Sequence, residues 1–180
     1  MKKAYIFLAN GHEEVEALMV VDLLRRAGLD IATVSITDSN TVTSSHQVIY
    51  ETDLLFSEVE GTMADLVVLP GGIPGTPNLL AFEPLMDMVK AHNEAGKYVA
   101  AICAAPSIFA EIGILDGKKA TCYPGFEKKM TDYVDEPVVV DGNIITSRGL
   151  GAAIDFGLKL IELMVDEQKA KDVAAAIQYR

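Results

Sequence analysis

Residues 99–110, VAAICAAPSIFA, place one cysteine, Cys103, between an apolar run of β character and an apolar run of helical character. On either side the same alternation repeats. KAYIFLA (3–9) reads as a strand, and 13–27 as a helix ended by Gly28. IATVSIT (31–37) is a second strand, and ADLVVLP (64–70) a third, bounded by Gly71 and Gly72. A helix over 82–95 ends at Gly96, YVAAI (98–102) is the fourth strand, and a helix over 105–112 follows it. Near-continuous apolar strands alternating with helices predict an α/β fold whose mostly parallel sheet is covered on both faces. Two hairpin-like pieces interrupt the pattern, TVTSSHQVIYE (41–51) and VVVDGNIIT (138–146), the latter with Asp141-Gly142 as a turn signal. Helices over 152–164 and 166–177 close the chain. Without repeats, linkers or low-complexity tracts, a single domain over 1–180 is expected.

Composition narrows the function classes. The chain of 180 residues is 50% hydrophobic and 23% charged, an ordinary globular balance. Its net charge of −11 repels phosphate backbones and anionic membranes, so neither nucleic acid nor a membrane surface is an expected partner. The apolar run near the N-terminus is too short, and too soon followed by acids, for a signal peptide. The weakly charged segment 98–115 is broken by Pro106, Glu111 and Gly113 and fails as a membrane span. Cys103 and Cys122 lack metal-ligand spacing and do not suggest a disulfide framework, which points to a reduced, cytoplasmic protein. The first helix has only Asp22 as a polar residue between Ala17 and Leu24. A helix apolar nearly all round is buried all round, either by its own chain or by a second subunit.

In open parallel sheets ligands bind beyond the carboxyl ends of the strands. Three loops leave such ends here: 10–14, 71–78 and 103–106. Cys103 at its turn has two readings. It is an inert buried thiol, or a nucleophile projected from a sharp elbow, with the following helix N-terminus favouring thiolate. Gly71-Gly72 is either a tight turn or a close backbone approach that supplies an N–H donor. Among Glu13, Glu14 and Glu16, the first two suit the helix dipole, whereas Glu16 shares a face with Met19, Val20 and Leu23. A carboxyl group among apolar neighbours has its pKa raised, and periodicity does not cleanly separate Glu16 from Glu14. The three histidines, His12, His46 and His92, all precede Cys103, so a hydrolase needing a downstream histidine base lacks it. His12 either faces the site or is solvated; His92 is expected on the surface, and Cys122 in packing. Phosphate-loop patterns are absent.

Together LANGHEEVEA (8–17), VVLPGGIPG (67–75), AAICAAP (100–106), KKATCYPG (118–125) and TSRG (146–149) resemble the ThiJ/PfpI superfamily, in the branch of the parkinsonism-associated protein deglycase. The resemblance implies a flavodoxin-like, class I glutamine amidotransferase-like three-layer sandwich, a homodimer and a reactive elbow cysteine. Carried over, Cys103 matches the nucleophile and Glu16 the protonated carboxyl beside it. Gly72 and Ala104 match the oxyanion-hole N–H donors, and Arg26 a basic residue contributed across the dimer; His46 stands as a second basic pocket residue. Ala104 replaces the histidine of peptidase-like members, and Tyr123 stands where the branch has histidine, so Glu16 is left as the main proton-transfer group. The expected function is cofactor-independent, metal-free handling of reactive dicarbonyls or their adducts on proteins, as a glyoxalase or deglycase. A redox sensor or chaperone that works through oxidation of Cys103 to sulfinate is the alternative.

Overall fold

The computed structural model describes residues 2–179. Strand β1 (Lys3–Leu8) divides its side chains between two cores: Ala4, Ile6 and Leu8 enter one, and Tyr5 and Phe7 the other. This alternation on a strand buried on both faces sets the layered plan. Helix α1 (Glu14–Arg26) follows, its first turn capped by the Glu13 carboxylate, which accepts from the Glu16 N–H at 2.6 Å. Next come β2 (Asp30–Ser35), the hairpin β3 (Thr41–Thr43) and β4 (Ile49–Glu51), β5 (Leu54–Leu55) and the short α2 (Phe56–Val59). Then β6 (Leu66–Leu69) leads through α3 (Gly75–Leu80) and α4 (Glu83–Glu94) to β7 (Tyr98–Ile102) and α5 (Pro106–Glu111). The chain ends with β8 (Lys119–Ala120), β9 (Asp132–Tyr133), the hairpin β10 (Val138–Asp141) and β11 (Ile144–Ser147), α6 (Ala153–Met164) and α7 (Glu167–Ala176).

The main sheet has seven strands in the order β10-β11-β7-β6-β1-β2-β5, and every pairing is parallel except β10 with β11. Helices α1, α6 and α7 pack on one face and α2 to α5 on the other, which makes three layers. From β1 the chain moves one way to β2 and the other way to β6. The carboxyl ends of β1 and β6 therefore flank a topological switch point, the usual place for a site in such sheets. No helix among the described residues is long and apolar enough to cross a membrane.

Several elements differ from the sequence reading. The second strand stops at Ser35, because the Thr37 N–H turns back to Ser35 Oγ at 3.1 Å. Strand β5 has too few residues to show alternation. Its position is set beside Asp53, whose carboxylate accepts from the Thr33 N–H, the Thr33 hydroxyl and the Arg25 guanidinium. The helix expected from residue 152 begins as a tighter turn at Leu150–Ala152. His92 is buried, not on the surface: its Nδ1–H donates to Met88 O at 2.7 Å and its Nε2 accepts from the Ala64 N–H at 3.0 Å. Burial holds its pKa below the ordinary value, so it is a neutral structural side chain.

Helices α1 and α6 meet where Gly157 leaves room for Leu23; a Cβ on Gly157 would lie 2.5 Å from Leu23 Cδ1. Leu23→Ala should cost about 2–5 kcal/mol. Gly157→Ala should strain the parent, yet stabilise the Leu23→Ala variant through its higher helix propensity. Denaturant melts of the double-mutant cycle should show that coupling; strictly additive changes would contradict the packing.

Candidate active site

Three strand ends build the site. Cys103 follows β7 and has φ +64°, a left-handed conformation that a non-glycine residue adopts at a cost. Two hydrogen bonds hold it there: the Cys103 N–H donates to Ser147 O at 2.9 Å, and Cys103 O accepts from the Tyr123 N–H at 2.7 Å. The thiol is thereby turned out of the β7–α5 junction while remaining partly accessible. This is an elbow, so Cys103 is presented rather than used as filler.

The first turn of α1 delivers Glu16, which is buried, beside the Cys103 thiol, to which its carboxyl is hydrogen-bonded. Glu16 Oε2 also accepts from the Gly71 N–H at 2.9 Å, and the Leu150 N–H favours the ionised carboxyl. Gly71 and Gly72, after β6, close the arrangement. A Cβ on Gly71 would fall 2.6 Å from Cys103 Cβ and 2.8 Å from Glu16 Oε2. Gly72 has φ +94°, and its N–H, like that of Ala104, favours the anionic form of the Cys103 sulfur. The sequence pattern offered Gly71-Gly72 as a pair and the family resemblance carried over Gly72 alone; Gly71 is the glycine that permits the Glu16–Cys103 contact.

Burial pushes Glu16 up to about 7, against the hydrogen bonds it receives. The thiol is pushed up to about 12, first by burial and then by the negative charge of Glu16. The expectation that the helix N-terminus would favour thiolate is therefore corrected. The Ala104 and Gly72 N–H groups do favour the anion, but burial and the adjacent carboxylate outweigh them. Protonating Glu16 removes that repulsion and supplies a donor, so the two groups titrate as one coupled unit.

The remaining candidates separate. His12 is buried and does not act from a solvated loop: its Nδ1–H donates to Ala9 O at 2.8 Å, and Nε2 accepts from the Tyr50 hydroxyl. Both ring nitrogens are engaged and burial lowers its pKa, so it supports the loop rather than the chemistry. Arg26 sits in the last turn of α1, about 15 Å along the helix from Glu16. There it binds Asp22 at 2.6 Å, outside its own chain's Cys103 site. His46 is exposed on the β3–β4 turn and lies against Glu14 rather than Cys103. Tyr123 is exposed and its ring borders Gly149, whose missing Cβ would lie 4.0 Å from Cys103 Sγ. Together with Arg148, Gly149, Leu150 and Asp155, Tyr123 lines an open cavity of about 550 Å³ beside the elbow. Arg148, which pairs with Asp135 at 3.3 Å, was not recognised from its motif as a lining residue. Cys122 is buried, in keeping with packing.

A mostly parallel three-layer α/β fold with a cysteine on a left-handed strand-to-helix elbow and a buried carboxyl beside it defines a recognisable class. Residues 2–163 match the model of the DJ-1/PfpI family, and the chain belongs to that family. It is 39% identical to Protein DJ-1 homolog B of Arabidopsis thaliana over 99% of this chain, and spans 42% of that longer protein. It is 29% identical to a Caenorhabditis elegans protein named glutathione-independent glyoxalase DJR-1.2, over 89% of this chain and 87% of that one. The solved structure described as Toxoplasma gondii DJ-1, oxidized, superposes with a TM-score of 0.97 at 37% identity and covers 99% of both chains.

A carboxyl group whose folded pKa lies above its unfolded value of 4.5 binds its proton more tightly in the native state. Its contribution to stability is therefore largest at low pH and is lost as pH rises through about 7. Glu16→Gln, which carries no charge, should be more stable than the parent by roughly 3 kcal/mol near pH 8, and the gap should close as pH falls toward the unfolded value. Melts across pH that showed a constant or inverted gap would contradict a buried, proton-holding Glu16.

Proposed function

We propose that the protein is a cysteine enzyme that converts reactive dicarbonyls to hydroxy acids, with free glyoxals or their adducts on proteins as substrates. The observation that carries this reading is the Glu16–Cys103 pair, a buried acid–base group near neutrality in contact with a nucleophile. The name of the Caenorhabditis elegans relative points the same way.

With methylglyoxal, Glu16 takes the thiol proton as Cys103 Sγ attacks the aldehyde carbon, forming a C–S bond. The oxygen that becomes negative is stabilised by the Gly72 and Ala104 N–H groups and receives a proton, giving a hemithioacetal. Glu16 then removes the proton from that carbon while the neighbouring carbonyl oxygen gains one, giving an enediol; return of a proton to the second carbon, with loss of the hydroxyl proton from the first, completes the shift. This oxidises the first carbon to a thioester and reduces the second to an alcohol. Water cleaves the thioester, releasing lactate and the free thiol. The sum is methylglyoxal plus water to lactate, which needs no external electron acceptor. Tyr123 and Arg148 line the route by which the substrate reaches the sulfur.

A second reading has one observation in its favour. The same N–H donors and the Glu16 proton suit the oxygens of a cysteine sulfinate, and the Toxoplasma relative is described as oxidized. In this reading Cys103 senses oxidants in the reduced cytoplasm and is not turned over. Purified protein given methylglyoxal, with neither glutathione nor added metal, should form lactate over many turnovers, and Cys103→Ser should form none. Lactate from both would remove Cys103 from the chemistry. No lactate from either, with the parent accumulating sulfinate mass under mild peroxide, would favour the sensor.

We further propose a homodimer. Val15 and Leu18 on α1 are each 41% exposed, and Ile49 on the neighbouring hairpin is 67% exposed, an apolar face that a second copy would cover. Such a partner would also bring Arg26 of each chain toward the other subunit. Leu18→Glu should halve the molar mass measured by light scattering, and an unchanged mass would place the interface elsewhere.

A further inference from the structure

The head of α1 carries a group of ligating atoms that the cysteine chemistry does not use. Glu13, Glu14 and His46 each offer one ligand atom, and these atoms lie within 4.8 Å of one another. His46 Nδ1 is 3.1 Å from Glu14 Oε1 and 3.8 Å from Glu13 Oε1. Glu13 is the telling member. Its residue is only 7% exposed and its Oε2 is occupied by the Glu16 N–H, but its Oε1 is buried without a hydrogen-bond partner and faces the cluster. A buried carboxylate oxygen left unpaired is costly, and a site normally satisfies it. Among the described residues no lysine or arginine pairs with Glu13 or Glu14.

The loop that brings His46 to this place is tied down, so the group is held together by the fold. The Gly11 N–H donates to Thr43 O at 2.8 Å, and the Ser45 N–H donates to His12 O at 2.7 Å. The Thr43 N–H donates to Asn10 Oδ1 at 2.9 Å. These bonds join the β3–β4 turn to the loop before α1. Two carboxylates and one imidazole make a donor set of intermediate hardness, suited to divalent first-row metals and compatible with open positions for water.

We propose that Glu13, Glu14 and His46 form a binding site for a divalent transition-metal ion, held through Glu13 Oε1, the Glu14 carboxylate and His46 Nδ1. The ion takes the place of the long Glu13–His46 contact and satisfies the buried oxygen. The site stands whether or not Cys103 turns over dicarbonyls, and the lactate reaction is not routed through it. His46 is 32 residues from Glu14 in the chain, which hides the site from any spacing rule.

The test uses the full, untagged chain carrying Cys103→Ser, so that the elbow thiol does not hold metal, freed of metal by chelator and titrated calorimetrically with Zn²⁺. One Zn²⁺ per chain is expected. His46→Ala in that background, an exposed change that should leave the circular dichroism unaltered, should weaken binding about tenfold or more. Glu13→Gln should do the same, with Glu14→Gln as the alternative should that variant fail to fold. Absence of stoichiometric binding, or affinity unchanged by His46→Ala, would overturn the site.

Discussion

Everything at the carboxyl edge of the sheet converges on one contact, the buried Glu16 carboxyl against the Cys103 sulfur beneath Gly71. Two acidic groups share that space, and a full negative charge on both is expensive at such burial. The arrangement is tenable because one proton serves the pair and backbone N–H groups of Gly71, Gly72, Ala104 and Leu150 face it. It is possible at all because Gly71 has no Cβ to occupy the gap.

That contact depends on the parallel sheet. The partners come from the ends of β1, β6 and β7, which lie side by side in the main sheet although they are well separated in the chain. The strands are buried on both faces, so their ends are poorly free to move, and the loops that leave them inherit that rigidity. The left-handed backbone at Cys103 is sustained by the bonds to Ser147 and Tyr123, which anchor the elbow to the neighbouring strand and to the loop after β8. A carboxyl tuned to about 7 holds or releases a proton near neutral pH, where an ordinary glutamate would remain ionised.

The loop before α1 has a supporting role on the other side of the pair. His12 is consumed in it, donating to Ala9 and accepting from Tyr50, and the β3–β4 turn is bonded to the same segment. One short stretch therefore caps α1 through Glu13, aims Glu16 at the sulfur and presents Glu14 to His46. Substitutions here should be read as changes to a shared support, not to isolated side chains.

Much of this was visible in the residues themselves. Apolar runs alternating with helical patterns define a covered parallel sheet, because strands buried on both faces cannot alternate in polarity. A lone cysteine at a strand-to-helix junction, a carboxyl among apolar residues and a glycine pair after a strand mark the site. What a linear pattern does not carry is the local balance of burial and charge. It could not separate a surface histidine from the buried, doubly bonded His92, or predict that Glu16 and burial would raise the thiol despite the helix behind it. Nor could it single out Gly71, or bring His46 to Glu13 and Glu14. The sequence by itself determined the fold class and the chemical types at the site, since both follow from periodicity and residue identity. Their protonation, partners and distances arose only when the strand ends came together, because desolvation and Coulomb energy depend on what lies within a few ångströms in space, not along the chain.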